Sequence, residues 1–106
     1  MDITTTESLP GRRITAVKGV AVGSTVRTKN IGKDIGAGLK SLIGGELKSY
    51  SAMLVEARTE ALSRMEAQAA ELGADSAVNL RFMTSAVASG ASEILAYATA
   101  VTTEPA

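Results

Sequence analysis

From Ser49 to Leu72 the chain repeats apolar residues every three or four positions, and Gly73 then stops the pattern. Leu54, Ala57, Ala61, Met65, Ala69 and Leu72 carry the repeat, which is the spacing of one face of an α-helix. Leu62 broadens the stripe on one flank, and Arg58, a turn earlier on that flank, keeps the broadening short. Glu60 and Arg64 stand four apart in the favourable order, a helix-surface pair worth about 0.3 kcal/mol. Most of the stripe is alanine, so the predicted helix is thin on its apolar side. A thin stripe suits close packing on a flat surface better than the centre of a deep core.

The flat surface is predicted on both sides of that helix. Asp2 to Thr6 is short and β-branched, and the turn signal Leu9-Pro10-Gly11 follows it. Ile14 to Thr28 has a period of two, with Ile14, Ala16, Val20, Val22 and Val26 on even positions and Lys18 and Ser24 as exceptions. Gly19 and Gly23 fall on its opposite face, where a glycine inside a strand marks a bulge or a close backbone approach. After the helix, Ser76 to Thr84 alternates Val78, Leu80 and Phe82 against Ala77, Asn79 and Arg81. Ser85 to Ser92 reads as a small-residue loop, and Glu93 to Thr102 as a last strand. That strand sets Leu95, Tyr97 and Val101 on one face and Ile94, Ala96, Ala98 and Ala100 on the other. A two-strand hairpin needs further cover to be stable, and the long helix is expected to supply it.

Between the two halves, Ile31, Ile35, Leu39, Leu42 and Ile43 recur at helical spacing among five glycines. This predicts a second, short helix over Asn30 to Gly45, ended by Gly44-Gly45 and held only by packing, since each interior glycine costs about 1 kcal/mol. The order β–β–α–α–β–β gives an α+β fold. Its antiparallel sheet carries one long and one short helix on a single face, and residues 1–106 make one domain.

Composition limits what such a domain can do alone. Tyr50, Phe82 and Tyr97 are its only aromatic residues and alanine is abundant. A short chain buries about 65% of its unfolded surface, and buried area stabilises at roughly 25 cal/mol per Å². With small side chains and a positive mean hydropathy, apolar surface is left over for a partner, and a second copy of the chain is the simplest one.

Several chemistries are disfavoured by residue type. Up to Lys48 there are eight Lys or Arg against four acids, and from Ser49 onward three against seven. The basic residues are scattered, with no aromatic platform among them, so no nucleic-acid partner is expected. The longest uncharged run, Phe82 to Ser92, is far short of the ~20 apolar residues of a membrane helix, so no membrane partner is expected either. The amino terminus lacks a secretory layout, and the expected location is cytoplasmic.

The chain contains no Cys and no His, which removes the strongest nucleophile and the usual general base. It also removes the preferred ligands of zinc and copper. Asp34, Glu46, Glu56, Glu60 and Asp75 offer hard oxygen ligands, yet no loop has calcium-site spacing. Glu56 and Glu60 lie one turn apart and read as a solvated helix face. Gly32-x-x-x-Gly36-x-Gly38 lacks the parallel βαβ unit that a dinucleotide site needs, and close helix packing explains it better. No enzyme activity and no cofactor are expected.

The order of certain residues resembles a known family. It runs through Gly44-Gly45-Glu46, Tyr50, Glu56-Ala57-Arg58, Ala61-Leu62, Met65, Ala69, Leu72-Gly73-Ala74-Asp75 and Ala77-Val78, with Val22-Gly23 and Asn30-Ile31 upstream. This is similar to the YbjQ family of bacterial and archaeal proteins, over about Ile14 to Val101. The resemblance implies a dodecin-like subunit that assembles as a ring-shaped homopentamer, and the family is labelled heavy-metal-binding. Its hallmark positions fall here on Gly44, Gly45, Tyr50, Glu56, Arg58, Gly73 and Ala74. Glu46 stands where some members carry a basic residue. Gly44, Gly45, Tyr50, Glu56 and Arg58 are the candidate ligand-binding or inter-subunit residues. Any metal ligands stay unassigned.

Overall fold

The computed structural model describes residues 1–28 and 45–106, the side chains of residues 45–48 excepted. Strands β1 (Asp2–Ile3) and β2 (Arg12–Thr28) precede the helix α1 (Gly45–Glu71) among the described residues. Strands β3 (Ser76–Ala88) and β4 (Ala91–Pro105) follow it. They form one sheet in the order β1-β3-β4-β2. The three long strands pair antiparallel, as the element order predicts, and β1 joins β3 in parallel, so the sheet is mixed. The fold is α+β, with a helix laid on one face of the sheet. The predicted short helix, and Gly44 with it, lies outside the described residues, and Gly45 opens α1.

α1 uses the stripe read from its sequence. Ala57, Ala61, Met65 and Ala69 are fully buried, with Leu54 and Leu62 packed partly against them. Gly73, at φ +84°, takes the left-handed conformation that ends a helix without a Cβ clash. The helix lies chiefly over β2 and β4 and hardly touches β3. It therefore covers the long first strand more than the terminal hairpin that it was expected to cover.

Gly23 explains how closely helix and strand approach. A Cβ built there would sit 2.2 Å from the carbonyl oxygen of Ala61 and 2.2 Å from the amide nitrogen of Met65. The helix backbone thus rests directly on the strand backbone. Both readings of the β2 glycines hold: Gly23 marks a close approach, and Gly19 sits at a register shift between Val17 and Gly19. The other residues facing the helix are small as well: Ala21 and Thr25 from β2, and Ala96, Ala98 and Ala100 from β4. Ile94 and Met65 are the largest fully buried side chains of this layer.

The hairpin extends beyond its predicted length. β3 continues to Ala88 and β4 begins at Ala91, so most of the expected Ser85–Ser92 loop is strand, closed by a tight turn at Ser89 and Gly90. Small residues without charge or Pro do not break a ladder once a partner strand is available. A second irregularity falls between Val78 and Arg81. There Asn79 adopts φ +56°, a conformation that asparagine tolerates better than most side chains.

Candidate functional site

Pairing in the sheet fixes which side chains share its second face. Val22, Tyr97 and Arg81 lie in one row across β2, β4 and β3, and Ser24, Leu95 and Met83 in the next. Val20 with Thr99 and Val26 with Glu93 flank them. Among the described residues this face has no helix on it. Val20 is 65% exposed, Val26 52%, Met83 56% and Val22 40%. The even-numbered valines that give β2 its period of two are the residues left bare, while glycine, alanine and threonine go inward. Met83 brings exposed apolar surface to this face from β3, whereas Phe82, paired with Ala96, is exposed on the opposite one. The radius of gyration, 17.6 Å, exceeds the roughly 13 Å of a compact chain of this length, and the long axis is 58 Å.

A charged network lines the seam between α1 and β2. Glu60 accepts hydrogen bonds from Arg27 on β2 and from Arg64 one helical turn away. Arg64 also donates to the carbonyl oxygen of Ser24 at 2.6 Å. The hydrogen bond from Arg27 is the main reason that the Glu60 carboxyl titrates below its ordinary value of 4.5, with both guanidinium charges adding to it against some desolvation. A carboxylate held ionised in this way is a poor proton donor. Glu60 is thus tied into an ion network between β2 and α1, while Glu56 is exposed.

A second cluster ties the sheet ends together. Asp75 accepts from the backbone N–H of Thr103 at 3.0 Å, from the Thr103 hydroxyl at 3.1 Å and from the Ser76 hydroxyl at 2.9 Å. Arg12 donates to the same Thr103 hydroxyl oxygen from Nε at 3.1 Å and Nη2 at 2.9 Å. The Thr103 N–H is the leading cause of a lowered Asp75 carboxyl, with Ser76, the Thr103 hydroxyl and Arg12 contributing in the same direction. Three strand ends meet at this point.

The predicted site residues are spread along α1. Tyr50 is half-buried, its hydroxyl 3.4 Å from the Ser92 hydroxyl oxygen. Glu56 and Arg58 are exposed on either side of the buried Ala57. Residues two apart on a helix do not face each other, so one chain does not bring Glu56 and Arg58 together. Only the Glu60–Arg64 part of the charged network was signalled in the sequence, by its spacing of four. Nothing local to Arg27, Asp75 or Thr103 announces partners lying dozens of residues away.

With this geometry in hand, similarity to known proteins identifies the lineage. A family model described as "Putative heavy-metal-binding" matches residues 1–104, and it is the model of the YbjQ family. The chain belongs to the YbjQ family. It is 57% identical to a UPF0145 protein of Methanoculleus marisnigri, covering 99% of this chain and 98% of that one. It is 52% identical to a UPF0145 protein of Vibrio campbellii, covering 95% and 97%. The fold is shared with a crystallised protein of unknown function from Pediococcus pentosaceus, assigned to the DUF74 family. That match has a TM-score of 0.69 and 18% identity, over 98% of both chains.

The family description can be set against the donor set. The 106 residues hold no Cys and no His, and no three acidic side chains gather into a possible metal site among the described residues. Borderline and soft metals take sulfur and imidazole ligands, so the residues present do not fit a heavy-metal centre within one chain. Among the described residues no helix is long and apolar enough to cross a membrane.

Proposed function

We propose that this chain is the subunit of a non-enzymatic homo-oligomer, a ring of five copies, working in the cytoplasm without a nucleic-acid partner. The single observation that carries the reading is the bare valine face. Val20, Val22 and Val26 on β2 and Met83 on β3 stand exposed on the side of the sheet that α1 does not cover. Burying one such side chain is worth about 1.5–3 kcal/mol. A three-strand face some 13 residues long offers roughly 600 Å² at ~3.3 Å per residue and ~4.8 Å per strand, close to the ~800 Å² per partner of a stable interface. The elongated subunit agrees with this, because a chain that does not round itself off leaves area for a neighbour. Five copies is the number that resemblance to the family implies. Native mass spectrometry at micromolar concentration is expected to return a pentamer. A monomer there and in light scattering sinks the reading.

A second reading is favoured by one observation: Glu56 and Arg58 project to solvent from a helix whose packing does not need them. Together with Gly44, Gly45 and Tyr50 they would form a site for a small ligand or metal ion between subunits. Arg58 would supply a planar fork for an anionic group. Arg58→Ala separates the readings. Loss of assembly assigns Arg58 to the interface, whereas loss of a retained small molecule from an intact ring assigns it to binding.

A further inference from the structure

The sheet has two outer edges, and their backbone groups meet different fates. On one side β3 is covered as far as Leu80 by the amino-terminal segment. The Thr4 N–H donates to the Ala77 carbonyl at 3.0 Å, and the Leu80 and Asn79 N–H groups donate to the Thr4 and Thr6 carbonyls at 3.0 and 2.9 Å. From Phe82 to Ala88 no strand lies on that side among the described residues. On the other side β2 forms the whole edge. There the Val22 N–H donates to the side-chain oxygen of Gln68, and the Ser24 carbonyl accepts from Arg64 at 2.6 Å. Both side chains come from α1, four residues apart.

The fit is geometric. Side chains four apart on a helix are ~5–6 Å from each other, and two residues along a strand advance ~6.7 Å, so successive helix turns meet successive outward-facing backbone groups. Gly23, between the two capped residues, lets the helix come near enough for these side chains to reach the edge. Arg64 is further steadied by Glu60, itself held by Arg27. Nearer its start, β2 is irregular, with register shifts between Ile14 and Ala16 and between Val17 and Gly19. Bulges spoil an edge as a template.

We propose that Gln68 and Arg64 guard the β2 edge against strand addition, and that this keeps assembly of the chain closed. β2 and β3 both run antiparallel to β4, so they run parallel to each other. If both edges were open, the β3 edge of one copy could meet the β2 edge of the next, head to tail. Such a contact closes into a ring only where the rotation from copy to copy fits, and otherwise grows into filaments. The stretch Phe82 to Ala88 is uncharged and apolar apart from Thr84 and Ser85, with no Lys or Pro to deter pairing. With β2 guarded, an open β3 edge has only another β3 to pair with, and growth stops at that point. The consequence for assembly rests on the reading of the chain as a self-associating subunit. The guard itself does not.

The test has two arms. Amide hydrogen exchange on the wild-type protein is expected to find the Val22 amide protected although it lies on an edge strand. In Gln68→Ala its exchange should rise about tenfold, the loss of one hydrogen bond, while the Asp75 amide, bonded to Val101, stays unchanged. A Val22 amide that exchanges as fast as an unstructured peptide in the wild type overturns the guard, and so does one unmoved by the substitution. In the second arm, Gln68→Ala with Arg64→Met is expected to give large thioflavin-binding particles, with Gln68→Glu, which keeps an acceptor, retaining the wild-type size. A folded double variant of wild-type size overturns the proposal. Should the double variant not fold, the exchange arm decides alone. A monomeric wild type removes the oligomer reading and leaves the exchange result to judge the guard.

Discussion

The two faces of this sheet invert the usual rule of what goes inside. Under α1 lie Ala21, Gly23, Thr25, Ala96, Ala98 and Ala100, all buried, whereas Val20, Val22 and Val26 on the same strand point away from the helix and stay exposed. Both choices follow from distance. The covered face is set by backbone-to-backbone approach at Gly23, which leaves no room for a side chain at that point and favours small residues around it. The bare face has no such limit and carries the larger residues. The lesson is that apolar alternation marks two faces without saying which of them a chain covers by itself.

This contrast can be broken most severely at Gly23. Gly23→Val puts side-chain atoms where the helix backbone lies, and it should destabilise by about 3 kcal/mol or more, as severe overpacking does; the midpoint of urea unfolding measures it. Met65→Ala empties the centre of the covered face and should cost about 2–5 kcal/mol, read from the same curve. Acid should loosen the seams next. The Glu60 and Asp75 carboxyls titrate below their ordinary values of 4.5 and 3.8, so their contribution is present above those values. It is lost as pH falls through the lowered ones. The melting temperature should therefore drop as the solution is acidified, and Asp75→Asn, weaker than wild type at neutral pH, should converge with it in acid. The smallest effect on stability belongs to the bare face. Val20→Thr should change unfolding by no more than about 0.5 kcal/mol, as for other exposed positions, yet weaken self-association in analytical ultracentrifugation. A large loss of subunit stability would show that Val20 is not on a free face.

Much of the architecture was legible. The stripe Ala57, Ala61, Met65 and Ala69 was read at helical spacing and is the buried stripe, because periodicity depends only on local geometry. Gly73 was read as the stop and is the stop. The alternation in β2 and β4 was readable for the same reason, but in β3 the irregularity at Asn79 puts Val78 on the face of Arg81 and sets Phe82 on the other, against the alternation read there. Strand ends were less so: the small residues Ser85 to Ala88 read as loop, and pairing with β4 made them strand. Of the candidate residues, Tyr50, Glu56 and Arg58 lie on α1, but whether copies bring them together is a matter of assembly that local pattern does not encode. The Arg27–Glu60 and Asp75–Thr103 links escaped because charge and hydroxyl partners distant in sequence leave no spacing to detect.

The sequence by itself determined the helix, its inward stripe, the antiparallel strands and the surplus of apolar surface, since these depend on side-chain order and composition alone. The tertiary structure decided which sheet face α1 would cover, and it placed the helix on β2 and β4 through the contact at Gly23. It also capped the β2 edge with Gln68 and Arg64. Those outcomes depend on how near two backbones can come, and that distance is set only when both elements are in place.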